Sequence, residues 1–258
     1  MKDKKPFNKK EDKGTDKKFT PRPQELRLNK FIANAGVCSR READQLISDG
    51  KIKVNGTVIS ELGYKVQRTD KVEYMGKSLN PESLRYVLLN KPRDFITTMS
   101  DPEGRKTVMT LVSGACPERI FPVGRLDRNT TGLLLFTNDG DLTKKLTHPS
   151  HEIKKIYQVS LDKPITNVDF DNILKGVDLE DGVVNVTEIA VVSDDKTVLG
   201  IEIHVGKNRV VRRIFEHFGY SVEKLDRVMF GSLTKKNLPR GKYRHLSARE
   251  IITLKNLK

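Results

Sequence analysis

Asp127 is the acid of a polar loop, residues 124–131, that runs directly into the apolar stretch 133–136 in GRLDRNTTGLLLF. A carboxylate so placed sits on a rigid support at the edge of a core, where chemistry can use it. By local chemistry alone a turn residue is the simpler reading, because Asp favours turns. Tyr157 lies in KKIYQVSL and alternates with Val159 and Leu161 on one strand face, which reads as a half-buried core tyrosine. In NRVVRRIFEHF, Val210, Val211, Ile214, Phe215 and Phe218 take one arc of a helix, and Arg209, Arg212, Arg213 and Glu216 take the other. On its own that second arc is a solvated basic face. His148 and His151 lie three apart, but no Asp, Cys or third His completes a ligand set, so no metal is expected. Cys38 and Cys116 are far apart, have no zinc spacing and read as two reduced thiols.

Alternating strands and helices must carry these residues. Strands are predicted over 85–89 (stopped by Asn90-Lys91-Pro92), 132–137, 156–161, 183–192, 198–205 and 222–230. Helices are predicted over 139–146, 168–174, 208–218 and 247–254. Hairpin-length connections between so many strands predict an α+β domain with a largely antiparallel sheet over 85–258.

Residues 26–76 form a separate module. Leu28, Phe31, Ile32 and Ala35 repeat at helical spacing before Gly36, and Ser39 with Glu42 makes a capping box that opens a second helix. Asn55-Gly56 then turns a hairpin between residues 51–54 and 57–59, with a further strand over 71–75. Arg40 and Arg41 occupy the first turn of the second helix, where the helix dipole prefers anions, and a docked phosphate would reverse that penalty. Together with Arg27, Lys30, Lys51 and Lys53 they suggest a surface facing nucleic acid. Residues 77–84 read as a linker. Residues 1–24 carry nine basic and four acidic side chains and few apolar ones, so a disordered basic tail is expected up to residue 25.

The net charge of +14 points to a polyanionic partner, whose attraction would be salt-sensitive. Hydrophobic residues make up 36% of the chain in short runs, enough for a core, and no run approaches a membrane span. The charged N-terminus carries no apolar stretch before a cleavage-like site, so the expected compartment is the cytoplasm.

Two resemblances sharpen this reading. LNKFIANAGVCSRREADQLISDGKIKVNG resembles the alpha-L RNA-binding motif of ribosomal small-subunit protein four, which implies binding to structured RNA. GRLDRNTTGLLLFTNDGD resembles the catalytic motif of the bacterial ribosomal RNA pseudouridine synthases of the RsuA/RluB group. LNKPRDFITT, HPSHEIKKIYQV, GKNRVVRRIFEHFGY and KLDRVMFGSL resemble that family's other motifs in order and spacing, over about residues 26–254. HPSHE leans toward the RluB kind, which acts on large-subunit RNA.

The resemblance implies isomerisation of a ribosomal RNA uridine, needing no redox cofactor, with Asp127 as nucleophile in its ionised form. It implies that Arg212 partners Asp127 and fixes its orientation. It also implies that Tyr157 stacks on the target uracil, that Leu225 packs near the base, and that Arg125 and Arg227 contact phosphate or position substrate. The implied partner is ribosomal RNA, free or in a precursor particle, bound by a monomer with no membrane association.

Overall fold

The computed structural model describes residues 25–257, which divide into two compact units at Pro81–Glu82. The basic tail lies outside the described residues.

In the first unit, strand β1 (Leu26–Arg27) leads into helices α1 (Leu28–Asn34) and α2 (Arg40–Ser48). Strands β2 (Ile52–Val54), β3 (Thr57–Ile59), β4 (Lys65–Val66), β5 (Val72–Tyr74) and β6 (Lys77–Ser78) follow. The capping box at Ser39 and Glu42 forms as expected. Asn55 and Gly56 both take positive φ (50° and 84°), the backbone that a two-residue hairpin between β2 and β3 requires. Leu28, Phe31, Ile32, Ala43 and Ile47 pack on Ile52, Val54, Val66 and Val72 to make the core. Lys77 and Ser78, read above as linker, instead close a hairpin on β5.

The second unit opens with β7 (Tyr86–Lys91), α3 (Met109–Val112), β8 (Phe121–Pro122), β9 (Thr131–Thr137) and α4 (Gly140–Thr147). It continues with β10 (Lys155–Leu161), α5 (Asn167–Lys175), β11 (Val177–Leu179), β12 (Gly182–Val184), β13 (Glu188–Val191) and β14 (Val198–Ile203). The last elements are α6 (Val210–His217), β15 (Val222–Phe230), β16 (Leu233–Thr234), β17 (Tyr243–His245) and α7 (Ala248–Asn256).

One sheet organises this unit, in the order β13-β14-β10-β15-β9-β7-β17, with β16 on β15 and β8 on β9. Every pairing is antiparallel except that of β9 with β15. The sheet is covered on both faces, which is why β7 and β9 are apolar at successive positions. Leu89, Leu134 and Phe136 face one core with α6, whereas Leu88, Leu133 and Leu135 face the other with α4 and α7. The fold is thus α+β with a mostly antiparallel sheet, as expected.

Two predicted strands are corrected. The first does not stop at Leu89 but runs through Lys91. The segment 183–192 is two strands, because Gly182–Val184 turns back on β11 while Glu188–Val191 pairs with β14.

Candidate active site

The loop between β8 and β9 carries Asp127, and its backbone is held from two directions. Lys91, fully buried at the end of β7, donates from Nζ to the carbonyls of Pro92, Asp127 and Arg128 (3.1 Å each) and of Thr130 (2.8 Å). Thr97 donates to the Leu126 carbonyl at 2.7 Å and accepts from its N–H at 3.2 Å. Burial pushes the Lys91 pKa down to about 8, opposed by the carboxylates of Asp127 and Asp94, so the side chain is cationic at neutral pH. Hydrogen bonds from a charged donor contribute roughly 1.5–3 kcal/mol each, more than neutral ones, so this clamp is strong for its size. The loop backbone is therefore fixed, while the Asp127 carboxylate has no hydrogen bond or ion pair to another side chain among the described residues.

Beyond the loop, β9 leaves through Gly132, whose φ is +106°. A Cβ there would lie 2.3 Å from the Arg227 carbonyl oxygen and 2.5 Å from its nitrogen, so only glycine lets β9 pair with β15 at this point. That pairing sets Asp127 beside the residues of β10 and β15. Tyr157 stands opposite Arg227, and Val159 opposite Leu225.

These elements enclose a cavity of about 430 Å³. Asp127, Arg125, Tyr157, Leu225 and Arg227 all line it. So do Arg128, Lys155, Lys207 and Arg209, giving six basic residues and a single acid among the described residues. The excess of positive charge suits an anionic ligand. Tyr157 is buried and lines the cavity, and its hydroxyl bonds to nothing among the described residues. Leu225 and Arg227 are buried, whereas Arg125 is exposed.

Arg212 departs from expectation. It belongs to the buried face of α6 with Val210, Val211, Ile214 and Phe215, not to a solvated arc. Its Nη1 donates to the Val222 carbonyl at 2.6 Å, which ties α6 to the start of β15, and its Nε has no partner. It does not line the cavity and makes no salt bridge with Asp127. Burial lowers its pKa, the Arg209 charge adds to that, and the Asp127 carboxylate opposes both. The attraction to Asp127 is present, but it acts through space. Arg213 is tied elsewhere, bonding both Asp181 oxygens at 2.9 and 3.0 Å.

In the first unit Arg27, Arg40, Arg41, Lys51 and Lys53 are exposed and Lys30 is half-buried. Arg40 bonds Asn29 at 3.3 Å and Lys51 pairs with Asp49 at 3.0 Å. His148 bonds Ser150 through Nδ1 at 2.8 Å, and its ring meets that of His151 edge-on at 6.2 Å.

Sequence reasoning missed Lys91, Thr97 and Lys155. A lysine inside an otherwise apolar strand was a usable signal for Lys91. Nothing local distinguishes Thr97, whose partner is 29 residues away.

A buried sheet, a clamped carboxylate loop and an electropositive cavity define an enzyme for an anionic substrate. A family model described as RNA pseudouridylate synthase matches residues 85–217, and an S4 domain model matches residues 26–72. The chain is 41% identical over 235 residues to the ribosomal large subunit pseudouridine synthase B of Bacillus subtilis, covering 90% of this chain and 96% of the relative. An uncharacterized RNA pseudouridine synthase of Aquifex aeolicus is 40% identical over 89% of this chain and 94% of its own length. The dual-specificity RNA pseudouridine synthase RluF of Escherichia coli is 36% identical over 89% of this chain and 78% of its own length. A crystal structure described as that of pseudouridylate synthase superposes with a TM-score of 0.63 at 28% identity, covering 89% of this chain and 99% of that one. The chain belongs to the RNA pseudouridylate synthase family, and its reaction is the isomerisation of uridine to pseudouridine in RNA.

Proposed function

We propose that the chain isomerises one specific uridine of large-subunit ribosomal RNA, with Asp127 as the catalytic nucleophile. The observation that carries this is that Asp127 is the only acid lining the cavity among the described residues, on a fixed backbone and with its carboxylate unengaged. An ionised carboxylate can attack the ribose carbon as the bond to uracil breaks, or take a ribose proton that lets the bond break. Either role needs the oxygens free. A stacked base hides that bond, so the target nucleotide must leave its stack first. Tyr157 then offers a ring for the base and a hydroxyl for a proton, and Leu225 packs against the other part of the base. Arg212 is a positioning residue, holding β15 and adding positive potential near Asp127. Arg125 reaches the RNA backbone.

The large-subunit assignment rests on the likeness to the ribosomal large subunit pseudouridine synthase B of Bacillus subtilis. Arg27, Lys30, Arg40, Arg41, Lys51 and Lys53 of the first unit supply phosphate contacts that dock the RNA without reading the target base. The enzyme acts as a cytoplasmic monomer, on free ribosomal RNA or on a precursor particle. Among the described residues no helix is long and apolar enough to cross a membrane.

The test is Asp127→Asn, which keeps shape and removes charge. Pseudouridine mapping of ribosomal RNA from cells with the wild type, without the protein, and with the variant should show one large-subunit site lost in the last two. Purified variant should bind RNA within about twofold of wild type, because one loop carboxylate adds little to phosphate attraction. Normal turnover by the variant would end the assignment of Asp127.

A further inference from the structure

Two cations on the cavity wall, Lys155 and Arg227, have no step in the reaction proposed above, and the resemblance implies for Arg227 only a phosphate or substrate-positioning contact. Lys155 lies two residues before Tyr157 on β10, and side chains at that spacing share a face of the strand. Arg227 stands opposite Tyr157 on β15. Both line the cavity. Arg227 is only 3% exposed. Its Nε donates to the Leu133 carbonyl at 2.8 Å and its guanidinium lies 4.6 Å from the centre of the Phe230 ring, but its Nη2 has no hydrogen-bond partner. Lys155 donates to the carbonyls of Ile153 (2.7 Å) and His204 (2.8 Å), which leaves one of its three N–H bonds unspent. No carboxylate forms an ion pair with either among the described residues. The two feel each other, since burial and then the Arg227 charge pull the Lys155 pKa down to about 8.

Two neighbouring cations withdrawn from water without a counter-ion are costly. Such an arrangement is well suited to a ligand that brings the missing negative charge. We infer that Lys155 and Arg227 form a two-cation seat for the carbonyl edge of the extruded uracil and stabilise the negative charge it carries once its bond to ribose breaks. This rests on the reading of Asp127 as the residue that starts that cleavage.

The chemistry fits by either route open to Asp127. When the bond from ribose C1′ to N1 breaks, its electron pair leaves on N1 and spreads to O2 and O4. The ring turns, C5 bonds to C1′, the C5 proton departs and N1 takes up a proton, so atoms and electrons balance without a co-reactant. Donors set in place before that charge develops lower the barrier most. The alternative ligand is a phosphate. A phosphodiester continues into chain on both sides and must stay near the mouth of a cavity, where the exposed Arg125 and Arg128 lie. The base edge is the part of a nucleotide that ends, and it alone can reach a group as buried as Arg227.

The test couples side chain to substrate atom. An RNA stem-loop carrying the mapped uridine is prepared with uridine, 2-thiouridine or 4-thiouridine at the target, because sulfur accepts a hydrogen bond poorly. Single-turnover isomerisation is measured for the wild type, Lys155→Met and Lys155→Arg. Lys155→Met should react roughly 100-fold more slowly at unchanged RNA affinity. One of the two thio substitutions should slow the wild type and Lys155→Arg but have little further effect on Lys155→Met, since the contact is already gone. Thio effects that simply add to that of Lys155→Met would overturn the inference. So would a loss of RNA affinity with a salt slope lower by about one, which marks a phosphate contact. If Lys155→Met melts at a lower temperature, Arg227→Lys replaces it in the same series, keeping charge but withdrawing Nη2. Retained pseudouridine formation by Asp127→Asn would sink the nucleophile reading, whatever the thio series shows.

Discussion

Arg212 and Arg213 are adjacent in sequence and opposite in circumstance. Arg212 is a buried cation joining α6 to β15 within the electrostatic reach of Asp127, whereas Arg213 is held in a partly exposed ion pair with Asp181. Arg212→Ala should slow single-turnover isomerisation about 100-fold with RNA affinity within a few-fold, and Arg212→Lys should restore part of the rate by returning the charge. Arg213→Ala removes a surface pair of the kind that contributes up to about 1 kcal/mol, so its rate should stay within a few-fold of wild type. Equal losses in the two alanine variants would show that the charge near Asp127 is not what matters. At Tyr157, the unbonded hydroxyl and the ring can be separated. Tyr157→Phe should bind RNA normally and isomerise slowly, while Tyr157→Leu should be slower still. Full activity in the leucine variant would return this side chain to a packing role.

At the scale of elements, the site depends on how β9 meets β15. Gly132→Ala forces a Cβ against the Arg227 backbone at a φ that alanine adopts poorly, a strain on the order of 3 kcal/mol or more. Thermal melting should fall by several degrees, and the rate should fall beyond what the lost folded fraction explains, because the Asp127 loop shifts with the strand. A wild-type rate at a temperature where the variant is folded would show that the crossing does not set the loop. Residues with local partners were legible beforehand. The strand predicted over 222–230 matches β15 to the residue, and the capping box at Ser39 was readable from four letters. Residues with distant partners were not. Lys91 reads as a strand stop until the carbonyls of residues 127–130 satisfy it, and Arg212 reads as solvated until the Val222 carbonyl does. Tyr243–His245 is too short to show a period, and only its pairing with β7 makes it a strand. Of the residues the resemblance singled out, Asp127, Tyr157 and Arg227 line the cavity and Arg212 does not, because its guanidinium bonds the Val222 carbonyl instead.

For the whole molecule, residues 1–81 carry +8 of the net +14, so most of the excess lies before the catalytic unit. A chain beginning at Glu82 keeps both cores of the sheet and should fold cooperatively. It should bind ribosomal RNA more weakly, with a shallower salt dependence, and react slowly at low RNA concentration yet near the wild-type rate at saturation. Circular dichroism, binding across a salt series and single-turnover rates together check this. Full activity of the fragment at low RNA and physiological salt would show that the first unit does not dock substrate.

The parallel pairing of β9 with β15 also bears on when the enzyme can begin to work. Thr131 and Asp226, which bond across it, are 95 residues apart, and β17 must travel back to β7 to finish the sheet. Contacts this distant in sequence form late, since the intervening chain has to exist and be gathered in first. A polypeptide still emerging from the ribosome exposes Asp127 long before it has made Arg227. On the role proposed for Asp127, its carboxylate thus emerges well ahead of the pocket that must surround it, so activity should appear only once β15 and β17 have joined the sheet.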